Sequence, residues 1–184
     1  MRRIAVTFTV LAAALCLLSA PASSETTRSS GSDRVQALEQ GIVTGLNAVR
    51  TARGLRPLVV SRELQSASVA HSREMLVGGF FEHSSKDGTP FAVRVRRFYP
   101  INGFSTWSAG ENLLYSTVAT SPETAIDSWM NSPSHRRNML STGWREVGVA
   151  ALHAESAGGT FGGKPTWVIT MDFGARRGGP TSSG

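Results

Sequence analysis

Cysteine is almost absent from this chain: the single one is Cys16, and it lies in an apolar run at the amino terminus. Beyond that point no disulfide can form, so any exported form must be held by its core alone. Lysine is nearly absent too. Only Lys86 and Lys164 occur, so arginine carries almost all of the positive charge behind the formal +6. No internal repeat, nucleic-acid motif or second domain is visible. No serine or cysteine stands in a local nucleophile-activating motif. The longest apolar run, Ile4 to Leu18, is too short for a membrane span.

That run has Arg2 and Arg3 before it and Ala20-Pro21-Ala22 after it. This is a secretory signal pattern, predicting a signal peptide over 1–22 with cleavage after Ala22. The rival reading is an uncleaved anchor. Lipid anchoring at Cys16 fits poorly, because Leu15 stands where a small residue is expected. Removing Arg2 and Arg3 leaves a formal +4. A solvated basic surface explains that charge, and attraction to anionic wall polymer or lipid headgroups is the sharper alternative.

What remains is long enough for one domain with a proper core. Residues 23–31 are Ser/Thr-rich and read as a linker. Ser32 or Asp33 then caps a long amphipathic helix, with Val35, Leu38, Ile42, Leu46 and Val49 on one side and Gly54 beyond its end. Pro57 to Val60 is short and extended. Ser61 caps a second helix that stops at Gly78-Gly79, and His71 on its apolar face reads as a hydrogen-bonded core residue. Thr89-Pro90 opens a third helix, with Arg94, Arg96 and Arg97 as its solvated side. Ser121-Pro122 and Ser132-Pro133 open two more. The period then changes: Val147 to Leu152 and Thr166 to Phe173 read as strands of an antiparallel hairpin, and 175–184 as a disordered tail. Helices mainly before strands suggest an α+β domain over 32–174. Trp129, Trp144, Trp167 and Phe173 are its expected aromatic core.

Three short signals carry candidate chemistry. In Ser108 to Leu114, Glu111 sits between a glycine and an amide and runs into apolar residues, which reads as a tight turn anchored in the core. A buried carboxylate must be paired, hydrogen-bonded or metal-bound. His83 follows two phenylalanines, in a loop that precedes the Asp87-Gly88 turn. His135 is the third residue of the helix opened by Pro133. The positive helix end disfavours imidazolium there, so His135 should stay neutral and able to coordinate a metal or accept a proton.

Phe80-Phe81-Glu82-His83-Ser84-Ser85-x-Asp87-Gly88, Gly110-Glu111-Asn112-Leu113, Trp129 to His135 with Arg136-x-Asn138, Val147-Gly148-Val149 and the closing Trp167…Phe173-Gly174 occur in one order. Together they resemble the CAP superfamily of cysteine-rich secretory, antigen 5 and pathogenesis-related proteins, in its cysteine-poor bacterial secreted branch. Asn47 and Arg50 match that family's opening helix. The resemblance implies a three-layer α-β-α sandwich with a central antiparallel sheet. It also implies a cleft lined by two histidines and two acids. His83, Glu111 and His135 match three of the four, while Ser132 stands where the second acid is often found.

Two imidazoles and a carboxylate make a zinc set with an open position. On this reading His83, Glu111 and His135 are the metal ligands, and zinc the metal expected if any is bound. Three functions follow. An extracellular binding module for metal, lipid, sterol or cell-wall glycan, acting as a monomer, ranks first. A metal-assisted hydrolase with Glu111 as general base ranks below it, because the second acid is missing. The third is a polar network that ties loops together without any ligand.

Overall fold

In the computed structural model, residues 23–179 are described, with side chains from residue 35 onward. The expected signal peptide and the last five residues of the expected tail lie outside them. Among the described residues no helix is long and apolar enough to cross a membrane.

The chain runs α1 (Ser23–Thr51), β1 (Val59–Val60), α2 (Arg62–Gly78), α3 (Phe91–Phe98), β2 (Thr106–Ser116), α4 (Pro122–Asn131), α5 (Pro133–Leu140), β3 (Glu146–Ala157) and β4 (Lys164–Arg177), with a short 3-10 turn at Gly159–Phe161. The sheet order is β1-β3-β4-β2. The three long strands are antiparallel, and β1 joins β3 in parallel through two residues.

Strand alternation sorts the two faces. Val147, Val149, Ala151, Ile169, Met171 and Phe173 pack with α1, α4 and α5 around Trp129. Val168 and Leu113 face the other way, against Met75 of α2. Leu64 and Ala67 of α2 meet Val95 and Tyr99 in and after α3. The result is the expected sandwich, with α1, α4 and α5 on one side and α2 and α3 on the other. Trp129 and Phe173 are fully buried, while Trp144 and Trp167 pack at the rim of the same core.

The predicted caps hold at two helices. Ser61 Oγ accepts from Leu64 N–H at 3.4 Å, and Ser121 Oγ accepts from Thr124 N–H at 3.2 Å. Gly79, with φ of 67°, ends α2 in the left-handed conformation that favours glycine. Asn47 and Arg50 are structural. Asn47 exchanges two hydrogen bonds with the backbone of Leu58, and buried Arg50 donates to the carbonyls of Arg56, Met139 and Ser141.

Five expectations are corrected. Helix α1 begins at Ser23, so the 23–31 stretch is helical and Ser32 and Asp33 lie inside it. Once a helix is nucleated, each further residue adds a bond at little cost, even where composition is unhelpful. Pro90 rather than Thr89 occupies the N-cap of α3. Arg94 is buried instead of solvated, because Phe91, Arg94, Val95 and Phe98 share the helix face turned toward the sheet. The Gly110-Glu111-Asn112 turn is the middle of an eleven-residue strand. Finally, β4 continues through Ala175, Arg176 and Arg177, which pair with Ser108, Trp107 and Thr106. Arg176 is further held by Glu63 at 2.5 Å and by the Tyr99 ring, 3.9 Å from its guanidinium.

Candidate functional site

Strand β2 is the outermost long strand, and its register decides where the site lies. Glu111 and Asn112 are neighbours, so their side chains point to opposite faces. Glu111 turns toward the α2–α3 layer. Asn112 turns toward α5, where its amide donates to the His135 carbonyl at 3.1 Å. The loop bearing His83 and the helix bearing His135 therefore flank the same strand from its two faces.

The outward carbonyls of this edge strand are covered by side chains rather than by another strand. Asn138 Nδ2 donates to Glu111 O at 3.0 Å and to Asn112 Oδ1 at 2.9 Å. Trp129 Nε1 donates to Leu113 O at 3.0 Å. Trp144 Nε1 in turn donates to Asn138 O at 3.0 Å. Gly110 is glycine for room: a Cβ there would meet the Trp144 ring at 2.7 Å.

The Glu111 carboxylate is 1 % exposed and both of its oxygens are engaged. His83 Nδ1–H donates to Oε1 at 2.8 Å. Arg94 Nη2 donates to Oε2 at 2.5 Å and also reaches His83 O at 3.3 Å. Burial alone would raise the Glu111 carboxyl. The His83 hydrogen bond and the Arg94 charge outweigh it, and the carboxyl is held below its ordinary value. The same hydrogen bond raises His83. Its side chain is 56 % exposed, so the imidazole bridges a buried anion and solvent.

His135 stands third in α5, as its sequence position implies. Its imidazole is held below the ordinary value by burial and by the nearby charge of His83. His71 is the expected core residue, fully buried, with Nε2 bonded to Glu82 O at 2.9 Å and Nδ1 3.3 Å from Glu74 Oε2.

Four participants escaped sequence reasoning. Arg94 is the counterion of Glu111, and its place on the apolar face of α3 was the available signal. Asn112 and Asn138 lie inside the motifs but act by tying α5 to β2. Asp172 is a second buried acid, directly opposite Glu111 on β4, with Ser68 Oγ donating to it at 2.9 Å. Burial pushes its carboxyl well above the ordinary value, and the Glu111 charge adds to this. Among the described residues, no three His, Cys, Asp or Glu side chains gather in a geometry that could hold a metal ion. Glu111 is committed to His83 and Arg94 on both carboxylate oxygens.

Comparison with known proteins agrees with this architecture. YkwD of Bacillus subtilis is 34 % identical over 140 residues, covering 74 % of this chain and 52 % of that protein. The B. subtilis membrane protein YlbC is 27 % identical over 111 residues, covering 60 % of this chain and 30 % of that one. This chain thus spans about half or less of the curated relatives it matches. Among solved structures, an extracellular protein of Bacillus anthracis containing an SCP domain superposes with a TM-score of 0.57 at 22 % identity, covering 87 % of this chain and 45 % of that one. An outer surface protein of Borrelia burgdorferi gives 0.56 at 18 % identity, covering 74 % and 90 %. At those identities the structural likeness speaks for the fold alone. The model of the cysteine-rich secretory protein family matches residues 43–173, and the chain belongs to that family, CAP.

Proposed function

We propose that this CAP domain is an extracellular binding module whose ligand is taken at His83 and His135. Glu111 and Arg94 are its rigid support. One observation carries the reading: the Glu111 carboxylate is buried and bonded on both oxygens, and these partners hold its carboxyl below the ordinary value. A general base needs a free oxygen and an affinity for protons near the working pH. Glu111 has neither, so the hydrolase reading ranks lower. A carboxylate on one imidazole nitrogen instead fixes the tautomer and leaves the other nitrogen as an acceptor.

Of the ligand classes in play, a divalent cation such as zinc fits this donor set best. His83 Nε2 and the His135 ring would hold it, with Glu111 as the outer carboxylate rather than a ligand. Two imidazoles with water completing the shell make a weak site. The extracellular assignment rests on the signal pattern over 1–22.

Zinc titration of the full chain by calorimetry tests this. Binding is expected at neutral pH, absent in His83→Ala and in His135→Ala. Glu111→Gln should weaken it roughly 10–100-fold. Because His83 is raised, protons compete early and binding should fade as the pH falls toward about 6. A wild-type chain that takes up no zinc would overturn the metal reading. The saturated contacts of Glu111 favour the structural network in that case.

A further inference from the structure

The α2–α3 layer presents an exposed surface that runs from the outer side of α2 over α3 to Trp107 of β2. On α2 the exposed positions are Arg62, Ser66, Arg73 and Val77, spaced as one helical stripe. On α3 they are Val93, Arg96 and Arg97. Half-buried Phe98 sits between the two helices, lining one cavity with Arg62, Val69 and Arg73 and another with Ala70, Glu74, Asp87 and Arg97. Among the described residues, none of Arg62, Arg73, Arg96 and Arg97 has a carboxylate within ion-pair distance. Asp87 lies in the field of Arg97 without pairing with it.

The apolar part of this surface is equally specific. Val77 is 85 % exposed and Val93 50 %. Beside Val93 is a cavity of about 530 Å³ lined by Ala92, Val93, Arg96, Arg97 and Trp107. The Arg96 guanidinium lies 4.6 Å above the Trp107 ring, which fixes the cation against an aromatic shelf. Tyr99 O holds the Trp107 indole N–H at 2.7 Å.

We propose that this α2–α3 face docks onto an anionic lipid surface. Arg73, Arg96 and Arg97 meet headgroup phosphates, and Val77 and Val93 enter the boundary between headgroups and acyl chains. Charge complementarity selects an anionic partner. The exposed valines beside the guanidiniums, Val77 one turn beyond Arg73 and Val93 one turn before Arg96 and Arg97, select an amphiphilic one, since a soluble polyanion gains nothing from them. The surface is separate from the histidine site, and the inference does not depend on metal binding.

Flotation of the full chain with phosphatidylcholine vesicles, with and without phosphatidylglycerol, tests it. Binding is expected only with phosphatidylglycerol and should fall with salt. Arg96→Ser with Arg97→Ser should weaken it roughly thirtyfold, at about fivefold per arginine. Arg53→Ser with Arg56→Ser removes the same charge elsewhere on the surface and should leave binding within about threefold of wild type. Val93→Asp should also lose binding while its helix is kept, because an acidic residue in the first turn suits the helix dipole. Equal flotation without phosphatidylglycerol, no flotation at all, or equal losses in the two arginine pairs would each overturn the proposal. So would binding to soluble polyphosphate as strong as to vesicles and indifferent to Val93→Asp.

Discussion

Glu111 and Asp172 face each other across β2 and β4 on the same side of the sheet, two buried acids sharing the neighbourhood of one buried guanidinium, Arg94. One cation cannot balance two carboxylates in a dry interior, so the environment drives them apart. Glu111, bonded by Arg94 and His83, is held ionised. Asp172, enclosed completely, is pushed toward the neutral acid.

Arg94→Met should therefore be severe. It leaves the Glu111 charge buried with His83 as its only strong partner, and removing one member of such a pair costs about 3–5 kcal/mol. In wild type the Glu111 contribution is present above the ordinary carboxylate value and is lost as the pH falls through the depressed folded value. The deficit of Arg94→Met should thus be largest near neutral pH and shrink in acid. Thermal melts over a pH series measure it, and a uniform small deficit would show that Arg94 is not the counterion.

Asp172→Asn has the opposite sign. A raised carboxyl contributes stability that is fully present below its unfolded value and lost as the pH rises through the folded one. The neutral amide escapes that loss, while its oxygen can still accept from Ser68. The variant should melt above wild type at neutral and alkaline pH, and the difference should vanish below about pH 4. A variant less stable at every pH would mean that Asp172 is an ionised partner of Arg94.

His83 should titrate above the ordinary imidazole value. Its contribution to stability is present below the unfolded value and lost as the pH rises past the raised one. Glu111→Gln removes the largest cause of that rise and leaves burial and Arg94, both of which lower it. The His83 resonance should then titrate at or below the ordinary value. No change in midpoint would disprove the contact as the source.

Two packing variants probe the layers. Trp129 is 1 % exposed and also caps Leu113 O, so Trp129→Ala should cost about 3–5 kcal/mol and loosen β2. Gly148→Ala would drive a Cβ into the backbone of Leu64 and Gln65, where α2 crosses β3. Since backbone cannot step aside cheaply, a cost of about 1–3 kcal/mol is expected by denaturant unfolding. A neutral result would mean that α2 shifts to make room.

The sequence alone determined what local chemistry can write. Ser61 and Ser121 before helices, Pro122 and Pro133 at helix starts, Gly79 after α2, and the change to period two after residue 146 each act within a few residues, and they stand where they were read. His71 as a core residue and His135 in a first helical turn were legible for the same reason. Only the tertiary structure decided that Gly110-Glu111-Asn112 is strand rather than turn, because pairing with Phe173, Asp172 and Met171 outweighs what a lone glycine suggests. It alone decided that Arg94 is a buried counterion, that Asp172 faces Glu111, and that Asn138 ties α5 to β2. Those contacts join residues 17, 61 and 27 positions apart. Burial and charge pairing at such separations depend on how the layers close, which no local spacing in the chain records.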